Sequence, residues 1–207
     1  MISFSDLCNT CRTFRRFKQI PISKEILYDI VKNMRGIPSA RNKQPLRYII
    51  IHNPIIVEKV QAFFHFAAAL PPELGQPKQG EQPTAFILIC IENESLSNSA
   101  IDIGIAVRTL QLGAWEKQIG SCILGNVEFN KVMSTIGEIH TSWKPTLALA
   151  LGYPAHQSHI INIPKNQNIA YTIDENKNYY VPKRLESDIL LNTKTLLLCF
   201  TMNQNFF

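Results

Sequence analysis

The sequence predicts a mixed domain in which helices alternate with strands, and three observations carry that prediction. The chain has 207 residues, 45% apolar and 18% charged, which is enough to bury a substantial core and too apolar for disorder over its whole length. Apolar positions recur at helical spacing over 24–34 and 99–119, while short continuous apolar runs fill 46–52, 85–91 and 145–151. No strand is followed by G-x-G-x-x-G or a Walker sequence, which argues against the usual dinucleotide fold and against a nucleotide triphosphatase.

Taken in order, Phe4 to about Arg12 reads as a short amphipathic helix with Phe4, Leu7, Cys8 and Cys11 on one face. Ser23 is the N-cap of a helix to about Met34, striped by Ile26, Leu27, Ile30, Val31 and Met34 and stopped by Gly36 and Pro38. Leu46–His52 is a strand apolar enough to be buried on both faces. Asn53-Pro54 starts a helix expected to reach Leu70, rich in phenylalanine. The Pro, Gly, Gln, Lys and Glu content of 71–83 predicts a mobile connection or lid. Ala85–Ile91 is a second buried strand.

The longest helix is expected from Ser99 to Ile119, with Ile101, Ile105, Leu112, Trp115 and Ile119 on one side. Val107, Leu110 and Ala114 spread its apolar character, so it is expected to be enclosed by other elements. Gly104 and Gly113 within it cost on the order of 1 kcal/mol each relative to alanine, and close approach to another helix or subunit is a reason to tolerate them. Ser121–Leu124 is a short strand, Glu128–Ile136 a brief helix and Pro145–Leu151 a third good strand. Beyond Pro154 the sequence reads as polar and irregular until Tyr179.

Several classes are disfavoured. A net charge of +5 permits an anionic ligand, but no nucleic-acid-binding motif is present. No apolar run has membrane-spanning length, and the amino terminus lacks a signal-peptide layout. Five scattered cysteines predict reduced thiols in a cytoplasmic protein rather than a disulfide framework. The Cys8-x-x-Cys11 pair has no second pair or histidine at ligand spacing, and His156 with His159 makes no recognisable metal motif, so no metal is expected. Nothing resembles G-x-S-x-G, and no acidic pair stands out.

Three polar segments remain. Arg12-Thr13-Phe14-Arg15-Arg16-Phe17 interleaves cations with aromatics, and arginine forks suit phosphate; a solvated basic edge with Phe14 and Phe17 turned inward is the alternative. In Ser39–Pro45, Asn42 and Gln44 each offer an amide NH2 and a carbonyl oxygen that match a flavin or nicotinamide edge, or that satisfy the loop's own backbone. Lys183-Arg184 follows Pro182 and is either a phosphate clamp or a basic surface loop.

The combination resembles the FMN-dependent nitroreductase family from Phe4 to about Leu190. The resemblance rests on the Arg12–Phe17 run, Pro38-Ser-Ala-Arg-Asn-Lys-Gln-Pro45, Ile101-Asp-Ile-Gly-Ile-Ala106, Gly120–Gly125, Ala150–Pro154 and Val181–Glu186, in that order. It implies an α+β fold, a mostly antiparallel central sheet flanked by helices, in a homodimer with FMN at the subunit interface. One domain over 1–190 and a carboxy-terminal extension over 191–207 are expected. The extension, with its Leu196–Phe200 run, is either a dimer-embracing segment or extra packing.

Carried over by motif, Arg12, Thr13 and Arg15 lie near the phosphate, with Lys183 or Arg184 closing on it. Ser39, Asn42 and Gln44 belong to the flavin-reading loop, and the backbone of Ile123, Leu124 and Gly125 lies against the ring. The implied activity takes electrons from NADH or NADPH to a nitroaromatic, quinone or activated alkene, and the cofactor carries the chemistry, so no catalytic acid, base or nucleophile is assigned. A flavin-binding or flavin-storage protein with little turnover is the alternative. Two positions depart from the family pattern: Cys11, often Arg, and Leu46, often Trp. Cys11 in place of Arg removes one phosphate contact, so either FMN binding is weaker or Arg16 compensates.

Overall fold

A computed structural model describes residues 2–67, 70–92, 99–137 and 142–190. The chain forms two compact units, one ending at His156 and the other beginning at Gln157.

In the first unit an antiparallel sheet is built on its two longest strands, β3 (Ala85–Glu92) and β5 (Trp143–Pro154). On one edge of β3 lies β2 (Leu46–Ile51). Strand β5 also pairs with β4 (Gly120–Leu124) and with the two-residue β1 (Phe17–Lys18). Every side chain from Ala85 to Ile91 is buried, so the uninterrupted apolar run there reflects cover on both faces.

That cover comes from four helices. On one face, α2 (Lys24–Lys32) and α5 (Ser99–Glu116) pack Leu27, Ile30, Leu110 and Ala114 against Ala85, Ile87, Ile89 and Ile91. On the other, α3 (Pro54–Val60) and α6 (Phe129–Ile136) bring Val57, Val60 and Val132 to Phe86, Leu88 and Cys90. The alternation of β3 side chains between the two clusters is the period-two pleat of a strand. The first unit also holds α1 (Phe4–Thr10) and the one-turn α4 (Pro72–Gly75).

Helix starts follow the capping residues. The Ser3 hydroxyl accepts from Asp6 N, Ser23 from Ile26 N, and the Asn53 amide oxygen from Ile55 N and Ile56 N. Pro54 sits in the first turn of α3, where its missing N–H costs nothing.

Four expectations are corrected. Helix α3 stops at Val60, and a single 3-10 turn over Gln61–Phe63 follows, well short of Leu70. The reason is Phe64, which bridges to Val127, is fully buried and stacks on Phe86 at 4.0 Å, drawing the chain out across the sheet. The buried side of α5 is Asp102, Ala106, Val107, Leu110, Gln111 and Ala114; Ile101 is 71% exposed, so α5 is not enclosed within this chain. The described part of 71–83 is fastened: Gln76 bonds Phe64 O and Phe66 N, Gln61 bonds Pro83 O, and Gln19 bonds Gln82 O. Polar side chains read as loop composition act there as clamps.

The fourth concerns the second unit, expected to be irregular. It holds a three-stranded sheet in which β6 (Ser158–Ile163) runs parallel to β8 (Tyr179–Arg184) and β7 (Thr172–Ile173) pairs antiparallel with β8. The short helix α7 (Glu186–Ile189) follows. Mixed polar and apolar residues hid these short strands. The 191–207 extension lies outside the described residues. No helix among the described residues is long and apolar enough to cross a membrane.

Two glycines dock the basic amino-terminal segment on the sheet. A Cβ at Gly152 would stand 2.7 Å from the Phe17 side chain, and one at Gly120 would stand 2.8 Å from Phe14. Gly152→Ala must therefore displace Phe17, and we expect it to lower unfolding free energy by about 1–3 kcal/mol in urea denaturation. An unchanged midpoint would show that Phe17 moves freely.

Candidate functional site

Aromatic anchoring decides where the arginines stand. Phe14 is buried against Trp115 at 5.1 Å and His156 at 5.4 Å, and Phe17 is fully buried. The Phe14 N–H donates to Ser121 O at 2.9 Å, and Thr13 bridges Ser121 in parallel. His156 Nε2 accepts from Arg15 N at 3.0 Å, so that nitrogen carries no proton. The chain between the two phenylalanines is thus fixed, with Arg12, Thr13 and Arg15 half-buried.

The three arginines of the segment do different work. Arg16 is 2% exposed, pairs with Glu81 at 3.1 Å and donates to Leu74 O. It therefore clamps the 74–81 segment. Arg12 keeps a buried Nε that donates to nothing among the described residues. Burial pulls its pKa down, and the nearby Arg108 charge works in the same direction against Cys11. A guanidinium in that condition is suited to an anion.

Loop 39–45 stands at the mouth of β2. Pro45 and Leu46 are buried, whereas Ala40 to Gln44 are exposed. Arg41, Asn42 and Gln44 all have positive φ, at 54°, 55° and 49°. For residues other than glycine this conformation costs of order 1 kcal/mol each, asparagine least. The shape is held from outside and within: Ala40 N donates to buried Asp102 on α5 at 3.2 Å, Gln44 N to Ser39 Oγ at 2.9 Å, and Arg47 to Gln44 O at 3.0 Å. Gln44 Nε2 reaches Asn42 Oδ1 at 3.2 Å. The self-satisfied alternative is thus partly realised, yet among the described residues no bond uses Asn42 Nδ2 or Gln44 Oε1. Beside the loop, Ser39, Gln44, Leu46, Tyr48 and Asp102 line part of a cavity of about 360 Å³.

At the end of β4, Ile123 is exposed and Leu124 is buried in the core, leaving only the Leu124 backbone for any ligand, with Gly125 exposed beyond it. In the second unit Lys183 is exposed, and Arg184 donates to Pro164 O at 2.7 Å and Gln167 O at 3.3 Å, an ordinary loop-holding role. His159 stacks on Tyr180. Among the described residues no three His, Cys, Asp or Glu side chains gather as a metal would need.

Two residues escaped sequence reasoning. Asp102 and Arg108 are the charged residues inside an otherwise mostly apolar helix, and that isolation was the available signal.

An α+β unit with an antiparallel sheet between helix layers, an arginine segment docked on it and a strained amide loop defines the class. Solved structures share the fold. A structure from Desulfovibrio desulfuricans in complex with FMN aligns with TM-score 0.63 and 19% identity over 93% of this chain and 97% of that one. An FMN-dependent nitroreductase from Clostridium difficile R20291 gives 0.61 and 15% over 90% and 96%. Iodotyrosine deiodinase bound to FMN and 3-iodo-L-tyrosine gives 0.59 and 22% over 73% and 90%. Among curated proteins the chain is 22% identical over 161 residues to YfhC of Bacillus subtilis (strain 168), whose name places it with NAD(P)H nitroreductases; the match covers 72% of this chain and 83% of that protein. The nitroreductase family model matches residues 10–153. The chain belongs to the nitroreductase family.

The sheet carries a pH dependence of its own. Burial pushes the thiols of Cys90 and Cys122 from 9.0 up to about 11. The unfolded chain then gives up these protons first, so stability is complete below about pH 9 and falls as pH rises toward 11. Denaturation midpoints measured across that window should decline, and Cys90→Ala with Cys122→Ala should flatten the decline.

Proposed function

We propose that the protein is an FMN-dependent oxidoreductase taking electrons from NADH or NADPH to a nitroaromatic, quinone or activated alkene. The observation that carries this reading is the buried Nε of Arg12, which has no hydrogen-bond partner among the described residues, next in sequence to Cys11, whose Sγ lies 3.5 Å from the Arg108 guanidinium. Two such guanidiniums suit the phosphate of FMN. Arg12, Thr13 and Arg15 would hold that phosphate. Asn42 and Gln44 would hydrogen-bond the flavin edge from a loop whose strain already holds them outward, with Ser39 bracing it. The backbone of Ile123 to Gly125 would lie against the ring. When bound, FMN supplies the two-electron chemistry between nicotinamide and acceptor, and the protein binds and orients.

A cytoplasmic homodimer belongs to the same proposal. Phe4 is 74% exposed, Ile101 of α5 is exposed too, and β2 pairs on one edge only among the described strands. Exposed apolar residues and an open sheet edge of this kind suit a second copy.

Purified protein should be yellow, and its flavin spectrum should bleach with NADH or NADPH under anaerobic conditions. Arg12→Ala should weaken FMN by roughly 10-fold or more and leave riboflavin unchanged, because only FMN has the phosphate. Colourless protein that cannot be reconstituted with FMN would overturn the reading. Bound flavin that neither nicotinamide reduces would make the protein a flavin holder.

A further inference from the structure

We propose that Arg108, from the middle of α5, is a second guanidinium of the anion site formed with Arg12. The inference rests on the FMN reading and adds a residue to it.

Arg108 is half-buried on a helix whose neighbouring positions, Val107 and Leu110, belong to the core. Among the described residues its guanidinium reaches neutral acceptors: Nη1 lies 3.5 Å from Cys11 Sγ and 3.5 Å from Gln111 Oε1, and Nη2 lies 3.3 Å from Cys8 O. These are long contacts for a group with five donors. Neither Arg12 nor Arg108 makes an ion pair among the described residues. Arg16, in the same segment, is engaged with Glu81 and Leu74.

Two guanidiniums that feel each other, both partly desolvated and without a carboxylate between them, destabilise the fold until a counter-charge arrives. A phosphate dianion answers both: its oxygens accept from two planar forks at once. Arg108 comes to this place through tertiary packing, since Cys11 is buried against α5 and its Sγ approaches Gln111 O at 3.6 Å. A rival role exists, because Cys8 O belongs to the last turn of α1 and a cation there caps the helix. Capping would affect folding and every ligand alike, whereas an anion site distinguishes ligands by their phosphate.

The test compares wild type, Arg108→Gln and Arg108→Lys, reading dissociation constants for FMN and riboflavin by flavin fluorescence and thermal shifts with inorganic phosphate. Arg108→Gln should weaken FMN roughly 10- to 100-fold, the range of a lost charge-assisted hydrogen bond, and leave riboflavin within about twofold. Arg108→Lys should recover part of the loss, and the phosphate-induced thermal shift should vanish in Arg108→Gln. Equal losses for FMN and riboflavin, or no loss for either, would overturn the proposal and leave the FMN reading standing. Wild type that binds no flavin yet is stabilised by phosphate through Arg108 would remove the FMN reading and keep the anion site. Protein that responds to neither flavin nor phosphate would remove both.

Discussion

Strand β3 has no face to spare for water. Its side chains from Ala85 to Ile91 are all buried, alternately toward α2 with α5 and toward α3 with α6. A strand of that composition is stable only between two apolar layers, because seven exposed side chains would forfeit about 1.5–3 kcal/mol for each large one. The helices are therefore committed to both faces, and α5 is held through Leu110 and Ala114. Once α5 is placed, Asp102 comes beneath loop 39–45 and Arg108 comes beside the amino-terminal segment. The polar groups of the site are consequences of how an apolar strand is covered.

The same economy separates the arginines. Arg16 and Arg12 lie four residues apart on one segment, yet one is neutralised and the other is not. The anchors at Phe14 and Phe17 set which way the chain faces, and they depend on the absence of side chains at Gly120 and Gly152. Arg16 then meets Glu81 and becomes part of the structure. Arg12 keeps a buried Nε without a hydrogen-bond partner among the described residues. A protein with Glu81 available could have neutralised either one; the charge left uncompensated stands where the chain adjoins α5.

The amino-acid sequence disclosed the three apolar strands, the Ser23 and Asn53 caps and the polar loop because each is a local pattern. It misjudged what tertiary contact decides. Phe64 reads as one more aromatic on a helix, yet stacking on Phe86 pulls it out of helical conformation. Ile101 looks like part of the buried stripe of α5, while the real stripe includes Asp102, whose partner Ala40 lies 62 residues away, and Gln111, which bonds Ser121 on the following strand. The pairing of Arg16 with Glu81 spans 65 residues, and no spacing rule reports it. Of the proposed site residues, Arg12, Asn42 and Gln44 were legible as motif chemistry. The near-neighbour Arg108 was legible only as an oddity, a lone basic residue within an apolar helix.

The two halves of the proposed site would be made ready in different ways. In the proposed cationic half, neither Arg12 nor Arg108 has a carboxylate partner among the described residues, so an arriving anion would supply the missing counter-charge. The amide half is prepared by backbone strain: three consecutive or nearly consecutive left-handed residues, none of them glycine, persist because Asp102, Ser39 and Arg47 tie the loop at both ends. Both preparations raise the free energy of the unliganded chain and lower the ordering left to be done on binding. Asp102 and Arg108 sit six residues apart, about 9 Å along one helix, so α5 braces both halves. A single rigid element thereby couples a strained loop to an uncompensated charge, and a perturbation of α5 packing should reach both.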